Sequence, residues 1–199
     1  PGQSDYGISI YTGEYINTRD FNFTLVSHTD SSAVMRLYFA DGGYIQQKYT
    51  LPHDSYMLYN ELSFSGMDTV IPRNVSLFDI DWTLTVPRFE KGYKNEKQYS
   101  KLNVYCPDEE KPETVGKGGR DGSKRYEHSV EWFDFSQQFF SAIMTAPASF
   151  ASGEFSLAFV PENDPSHNLM TCNAKLRNNF ALASGAAAYD YEFYFGPND

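Results

Sequence analysis

Asp79 and Asp81 stand two residues apart in the run 76–87. In an extended strand that spacing turns both carboxylates to one face. A carboxylate pair is what glycoside hydrolysis uses, provided that the second group sits across the scissile bond. Two acids are equally what the solvated side of an amphipathic strand carries. The second reading fits better, because the alternate positions Phe78, Ile80, Trp82, Leu84 and Val86 are all apolar and mark one buried and one wet face. Calcium would need an oxygen-rich loop spacing that the sequence lacks. His28, His53, His128 and His167 stand mostly in turn-forming surroundings. None lies at metal-ligand spacing from another, so all four read as solvated.

Residues 116–124, Gly-Lys-Gly-Gly-Arg-Asp-Gly-Ser-Lys, have the composition of a phosphate cradle. They fit neither the P-loop spacing nor the dinucleotide fingerprint, and no strand–turn–helix pattern surrounds them. The absence of a Gly-x-Ser-x-Gly elbow removes an α/β-hydrolase. Asn22-Phe23-Thr24 and Asn74-Val75-Ser76 match the glycosylation sequon, a pattern short enough to arise by chance. Cys106 and Cys172 lack a CxxC pattern, which argues against zinc. A bridge between them in an oxidising compartment would contribute about 4 kcal/mol. Two unpaired, part-buried thiols are the preferred alternative, since no tight framework needs the bridge. No catalytic, cofactor-binding or metal-ligating set emerges, and the chain reads as a binding or interaction module, not an enzyme.

The elements that would carry these residues are strands. The chain has 199 residues, enough for one sizeable core, and 17% of them are aromatic, a side-chain class that favours pleated, half-buried surfaces. Short alternating runs are expected at 7–11, 21–27, 33–40, 44–51, 56–65, 76–87, 99–106, 154–160, 169–176 and 186–195. Asp41-Gly42-Gly43 closes a hairpin, and the first half reads as an antiparallel meander. Residues 107–126 are rich in Pro, Glu, Lys and Gly without periodicity, and are expected as a mobile surface loop. Almost no 3.6-residue period occurs. The result is an all-β antiparallel sandwich of two packed sheets with little helix, one domain over 1–199.

The formal net charge is −10. Phosphate backbones and anionic headgroups would repel such a chain, so nucleic acid is not an expected partner. No run is apolar enough to span a membrane. The abrupt start at Pro1-Gly2-Gln3 shows no signal-peptide pattern and reads as a mature fragment or excised domain.

The most distinctive stretch is 130–147, VEWFDFSQQFFSAIMTAP. Its rings on either side of Gln137-Gln138 suggest a strand, a tight polar crossing, then a second strand or short helix, buried on more than one side. Trp132 is expected in the core. Val130-Glu131-Trp132 followed by Gln137 to Ile143 resembles the W…QQ[FY]F segment of the large periplasmic domain of YidC-type membrane protein insertases. Three further pieces follow in that family's order: residues 15–21 (YINTRDF), Asp81-Trp82 with Pro87-Arg88-Phe89-Glu90-Lys91-Gly92, and Tyr194-Phe195-Gly196-Pro197. The second piece is closest to Bacteroidetes-like members. The family's domain starts earlier, so a raw sheet edge is expected here.

The resemblance implies a β-supersandwich, an architecture shared with sugar mutarotases. It also implies the periplasmic side of an inner-membrane protein whose transmembrane core, outside these residues, inserts and folds membrane proteins. It implies a non-catalytic role without cofactor or metal, and contact with SecDF-type accessory subunits of the Sec translocon or with substrate chains. Residues 44–51 and 186–195 are the expected contact strands. The alternative reading is a carbohydrate-binding or mutarotase-like periplasmic sandwich.

Overall fold

The computed structural model describes residues 4–198; Pro1-Gly2-Gln3 and Asp199, and with them the reading of an abrupt start, lie outside the described residues. In chain order the elements are β1 (Asp5–Tyr11), β2 (Tyr15–Asn17), a 3₁₀ turn (Thr18–Asp20), β3 (Thr24–His28), β4 (Ser32–Tyr38), β5 (Tyr44–Thr50), β6 (Met57–Ser65) and β7 (Leu77–Pro87). A short helix α1 (Tyr93–Tyr99) leads to β8 (Lys101–Tyr105), β9 (Glu113–Lys117), β10 (Gly122–Tyr126), β11 (Val130–Ser136), β12 (Phe140–Phe150), β13 (Ser152–Phe159), β14 (Asn168–Asn179) and β15 (Ala187–Pro197).

The strands form two antiparallel sheets. One has six strands in the order β10-β13-β14-β7-β1-β2, the other nine in the order β3-β4-β5-β6-β15-β12-β11-β8-β9. The all-β sandwich expected from the alternation is what the molecule adopts. The inward side chains of both sheets form one hydrophobic cluster. In β7 the expected alternation holds: Phe78, Ile80, Trp82 and Val86 are buried, and Leu84 is partly so. The β3-to-β6 stretch is the expected meander.

Four expectations need correction. The stretch 107–126 contains β9 and β10 rather than loop alone. Neither strand shows alternation, because each sits on a sheet edge and is held by its backbone ladder, β9 to β8 and β10 to β13. The turn between them carries the chain from the large sheet to the small one. A Cβ at Gly122 would lie 2.0 Å from the Val115 carbonyl oxygen, so the two edges come together only because glycine stands there.

The expected contact strands are not sheet edges. Residues 44–51 and 186–195 become β5 and β15, which lie inside the nine-stranded sheet: β5 pairs with β4 and β6, and β15 pairs with β6 along residues 187–194 and with β12 along residues 192–197. The large sheet instead ends at β3, all five residues of which are exposed. That strand also begins later than expected, at Thr24, leaving Phe21 exposed before it.

Third, Trp132 is not core. Regular alternation would put Val130, Trp132 and Asp134 on one face. The β11–β12 register shifts between Val130 and Trp132, where residues 146–149 of β12 stand opposite Glu131. Such a bulge reverses the faces, so Val130, Phe133 and Phe135 point inward. Trp132 stacks on Tyr105 at 5.5 Å, outside the cluster. Finally, α1 was missed: its seven residues carry no apolar stripe, and a buried glutamate anchors it. Both cysteines are free and buried. Burial pushes both thiols above their ordinary values, which keeps them protonated and unreactive.

Candidate functional site

The stretches singled out in the sequence converge on one end of the sandwich. The last residues of β7, the β11–β12 turn and the last residues of β15 surround an apolar groove of about 340 Å³. Leu84, Val86 and Pro87 form one wall, Phe135, Phe140 and Ala142 a second, and Phe195 and Gly196 with Tyr56 the third. The rings of Tyr56, Phe140 and Phe195 remain exposed. Exposed aromatic rings grouped around an apolar cleft suit association with another apolar chain.

The inner wall is rigid. Trp82 lies 5.2–6.0 Å, centroid to centroid, from Phe133, Phe135, Phe193 and Phe195. These edge-on and tilted arrangements are favoured by the ring quadrupoles. Gly196 is needed for close approach: a Cβ there would meet the Tyr194 hydroxyl at 2.6 Å and the Tyr56 ring at 2.9 Å.

The rim is tied by a buried polar network. The Gln137 side-chain amide donates to the Pro87 carbonyl at 3.3 Å and to the Glu96 carboxylate. Glu96, 1% exposed in α1, also accepts from the backbone N–H groups of Phe89 at 3.0 Å and Glu90 at 3.4 Å. One carboxylate thus fixes the Pro87–Glu90 turn, α1 and the β11–β12 crossing against one another. Asn198 closes the set by donating to the Gln137 carbonyl at 2.7 Å.

Asp79 and Asp81 lie on the outer face of the six-stranded sheet, away from the groove. Arg177 contacts Asp79 with two hydrogen bonds, of 2.9 and 3.2 Å, and Lys175 stands 3.6 Å away. Asp81 accepts from Ser9 at 2.8 Å and Asn17 at 3.2 Å, with Arg19 at 3.7 Å. Each carboxylate is matched by donors from neighbouring strands, and the pair forms a cross-strand ladder on the solvated face. The YINTRDF stretch has its place there, since Asn17 and Arg19 fasten β2 and the 3₁₀ turn to β1 and β7.

The histidines stay apart: His28 on edge strand β3, His53 beside Asp54 in a turn, His128 against Tyr126, and His167 near Arg88. Among the described residues no three His, Cys, Asp or Glu side chains gather as a metal site. No helix there is long and apolar enough to cross a membrane.

Sequence reasoning overlooked Asp134. It is 8% exposed on β11, and burial raises its carboxyl above the ordinary carboxylate range, against the lowering effect of hydrogen bonding from Ser141 and Asn103 and of the Lys101 charge. The folded state therefore holds this proton more tightly than the unfolded chain does. The group adds nothing below the unfolded value near pH ~4, and its charging costs stability as pH rises through the raised folded value. Asp134→Asn should accordingly gain stability relative to wild type as pH rises above about 4, the gain levelling off once the folded carboxyl is charged. Urea midpoints for both proteins at each pH would test this; a difference that does not change with pH refutes it.

No protein-family model matches the chain. Curated relatives do. The membrane protein insertase YidC of Porphyromonas gingivalis W83 is 28% identical over 199 residues, covering 98% of this chain and 31% of the relative. YidC of Phocaeicola vulgatus is 30% identical over 185 residues, covering 93% and 29%. YidC of Bacteroides fragilis is 30% identical over 184 residues, covering 92% and 29%. The chain is homologous to one segment of the YidC membrane protein insertases. It spans about three-tenths of the length of these relatives. Among solved structures, a galactose mutarotase-like protein from Lactobacillus casei aligns with a TM-score of 0.57 and 8% identity, covering 96% of this chain and 84% of that one. Identity that low shows a shared sandwich fold and carries no activity across. Of the four stretches that resemble YidC, three meet at the groove and the fourth braces the sheet that supports it.

Proposed function

We propose that this chain is the periplasmic, non-catalytic domain of a YidC-type insertase of the inner membrane, and that its apolar groove receives side chains of a membrane-protein substrate during insertion. The observation that supports this most directly is the convergence of the PRFEKG, QQFF and YFGP stretches on one apolar groove rimmed by exposed rings. A transmembrane segment before insertion is an extended, apolar chain, and a cleft with three exposed aromatics offers it dispersion contacts with little polar desolvation. The net charge of −10 suits the same role, because an acidic domain beside an anionic bilayer is held off the headgroups. SecDF-type accessory subunits of the translocon are the second partner that the resemblance implies. The stretch 1–199 would be a single sandwich that forms a fragment of that periplasmic domain.

The test is site-specific photocrosslinking in the full-length insertase during synthesis of a membrane protein. Probes at Phe140 and Phe195 are expected to give adducts with the nascent chain, well above a probe at Arg125, which is exposed on β10. Adducts with an accessory subunit alone would move the assignment from substrate to translocon. Yields at the two groove positions no higher than at Arg125 would remove the groove from the mechanism.

A further inference from the structure

The two glutamines of the β11–β12 crossing serve opposite sides of the large sheet. Gln137 turns into the rim of the groove, whereas Gln138 lines a different pocket on the outer face, of about 590 Å³, which shares only Ser141 with the groove. Asp134, Lys101, Tyr99 and Ile143 also line it. Two buried oxygens there lack a hydrogen bond of good geometry among the described residues: Oε1 of Gln138, and Oδ1 of Asp134, beside a Ser141 hydroxyl that donates to Asn198 at 2.6 Å and also acts on the Asp134 carboxylate. The other carboxylate oxygen of Asp134 accepts from Asn103 at 3.1 Å. A buried polar atom left unpaired costs stability, and one inside a pocket marks where a ligand can repay that cost.

The chemistry of the lining narrows the ligand. Both unpaired atoms are acceptors, so the ligand must donate. An anion is excluded by the carboxylate. An ammonium or guanidinium group would be opposed by Lys101 in the same pocket, since like charges at short range repel. A neutral compound with several hydroxyls satisfies both oxygens, and its own oxygens can accept from the Lys101 ammonium. The exposed Tyr99 ring and the Ile143 side chain supply apolar surface for its C–H faces. We infer that this outer pocket binds a neutral polyhydroxyl compound, a monosaccharide or the end of a longer saccharide, with Asp134 and Gln138 accepting from its hydroxyls. This inference is independent of the groove and of the insertase role. The raised carboxyl of Asp134 agrees with it: the residue costs the fold stability at neutral pH and is supported by a ligand, not by the core.

Amide NMR titration of the ¹⁵N-labelled chain with glucose, galactose, N-acetylglucosamine and xylose in turn tests it. At least one sugar is expected to shift the amides of Lys101, Ser141 and Asn198 saturably. Asp134→Asn should weaken that binding by about tenfold or more, because a hydrogen bond to a charged acceptor is lost, while the remaining amide signals report an intact fold. Gln138→Ala, closer to the surface, should weaken it by a smaller factor. Four outcomes overturn the inference: no saturable shift with any sugar, shifts that map to Phe140 and Phe195 instead, unchanged binding in Asp134→Asn, or a response to N-methylacetamide or methylguanidinium in place of the sugars. The last would assign the pocket to a peptide amide or to a cationic side chain.

Discussion

Trp82→Ala is expected to cost about 3–5 kcal/mol of folding stability, a large part of the roughly 5–15 kcal/mol that holds a typical domain together. Trp82 is 6% exposed and touches four phenylalanine rings, two from β11 and two from β15. Truncation removes contacts by which the six-stranded sheet packs on the nine-stranded one and leaves a cavity that rings fixed on strands cannot easily fill. Trp132→Ala should cost far less, about 0.5–1.5 kcal/mol, since the stack on Tyr105 is its main loss. Urea denaturation of both variants separates the two. Equal costs would mean that the register shift between β11 and β12 does not turn Trp132 outward. Because Phe135 and Phe195 also line the groove, Trp82→Ala should reduce crosslinking there even where the variant stays folded.

The second large effect is expected from Glu96→Ala, at about 3 kcal/mol. Removing the carboxylate strands three donors: the Gln137 amide and the N–H groups of Phe89 and Glu90. Glu96→Gln keeps the shape and one acceptor oxygen and should cost less. The loss should be local as well as global, with the amides of residues 88–99 exchanging faster with solvent in Glu96→Ala than those of β5 or β15. Uniform protection across the chain, with an unchanged midpoint, would show that the network does not fasten the rim.

Much of the fold could be read before the structure. The period-two alternation of β7 and the β3-to-β6 meander required a half-buried sheet, because a pleated strand turns successive side chains to opposite faces. The same pattern assigned Asp79 and Asp81 to the wet side, where they are found paired with Arg177, Lys175, Ser9, Asn17 and Arg19. The order of the YidC-like stretches was also plain in the sequence. Their role was not, since nothing local says that Pro87, Gln137 and Phe195, far apart along the chain, form one rim.

The misreadings share a cause. Strands β9 and β10 are held by edge ladders and an ion pair between Glu113 and Lys124, neither of which needs an apolar period. Helix α1 is anchored through Glu96 and through Tyr93, buried in the core with its hydroxyl donating to the Val160 carbonyl at 2.6 Å, and likewise lacks a stripe. Trp132 was assigned to the core because alternation was carried through a bulge. Asp134 passed unremarked because a lone aspartate in a strand looks solvated until both neighbouring strands are in place.

By itself, then, the sequence determined the all-β class, the inward face of β7, the acidic surface and the kinship with one segment of YidC, because these rest on local periodicity, on summed charge and on stretches of matching order. Only the tertiary structure decided which strands are edges, that β15 lies between β6 and β12, which tryptophan is buried, and that a groove and an outer pocket flank the β11–β12 crossing. Those facts depend on register and on contacts between residues distant in the chain, and a bulge such as that at 146–149 can invert a face with no change in composition.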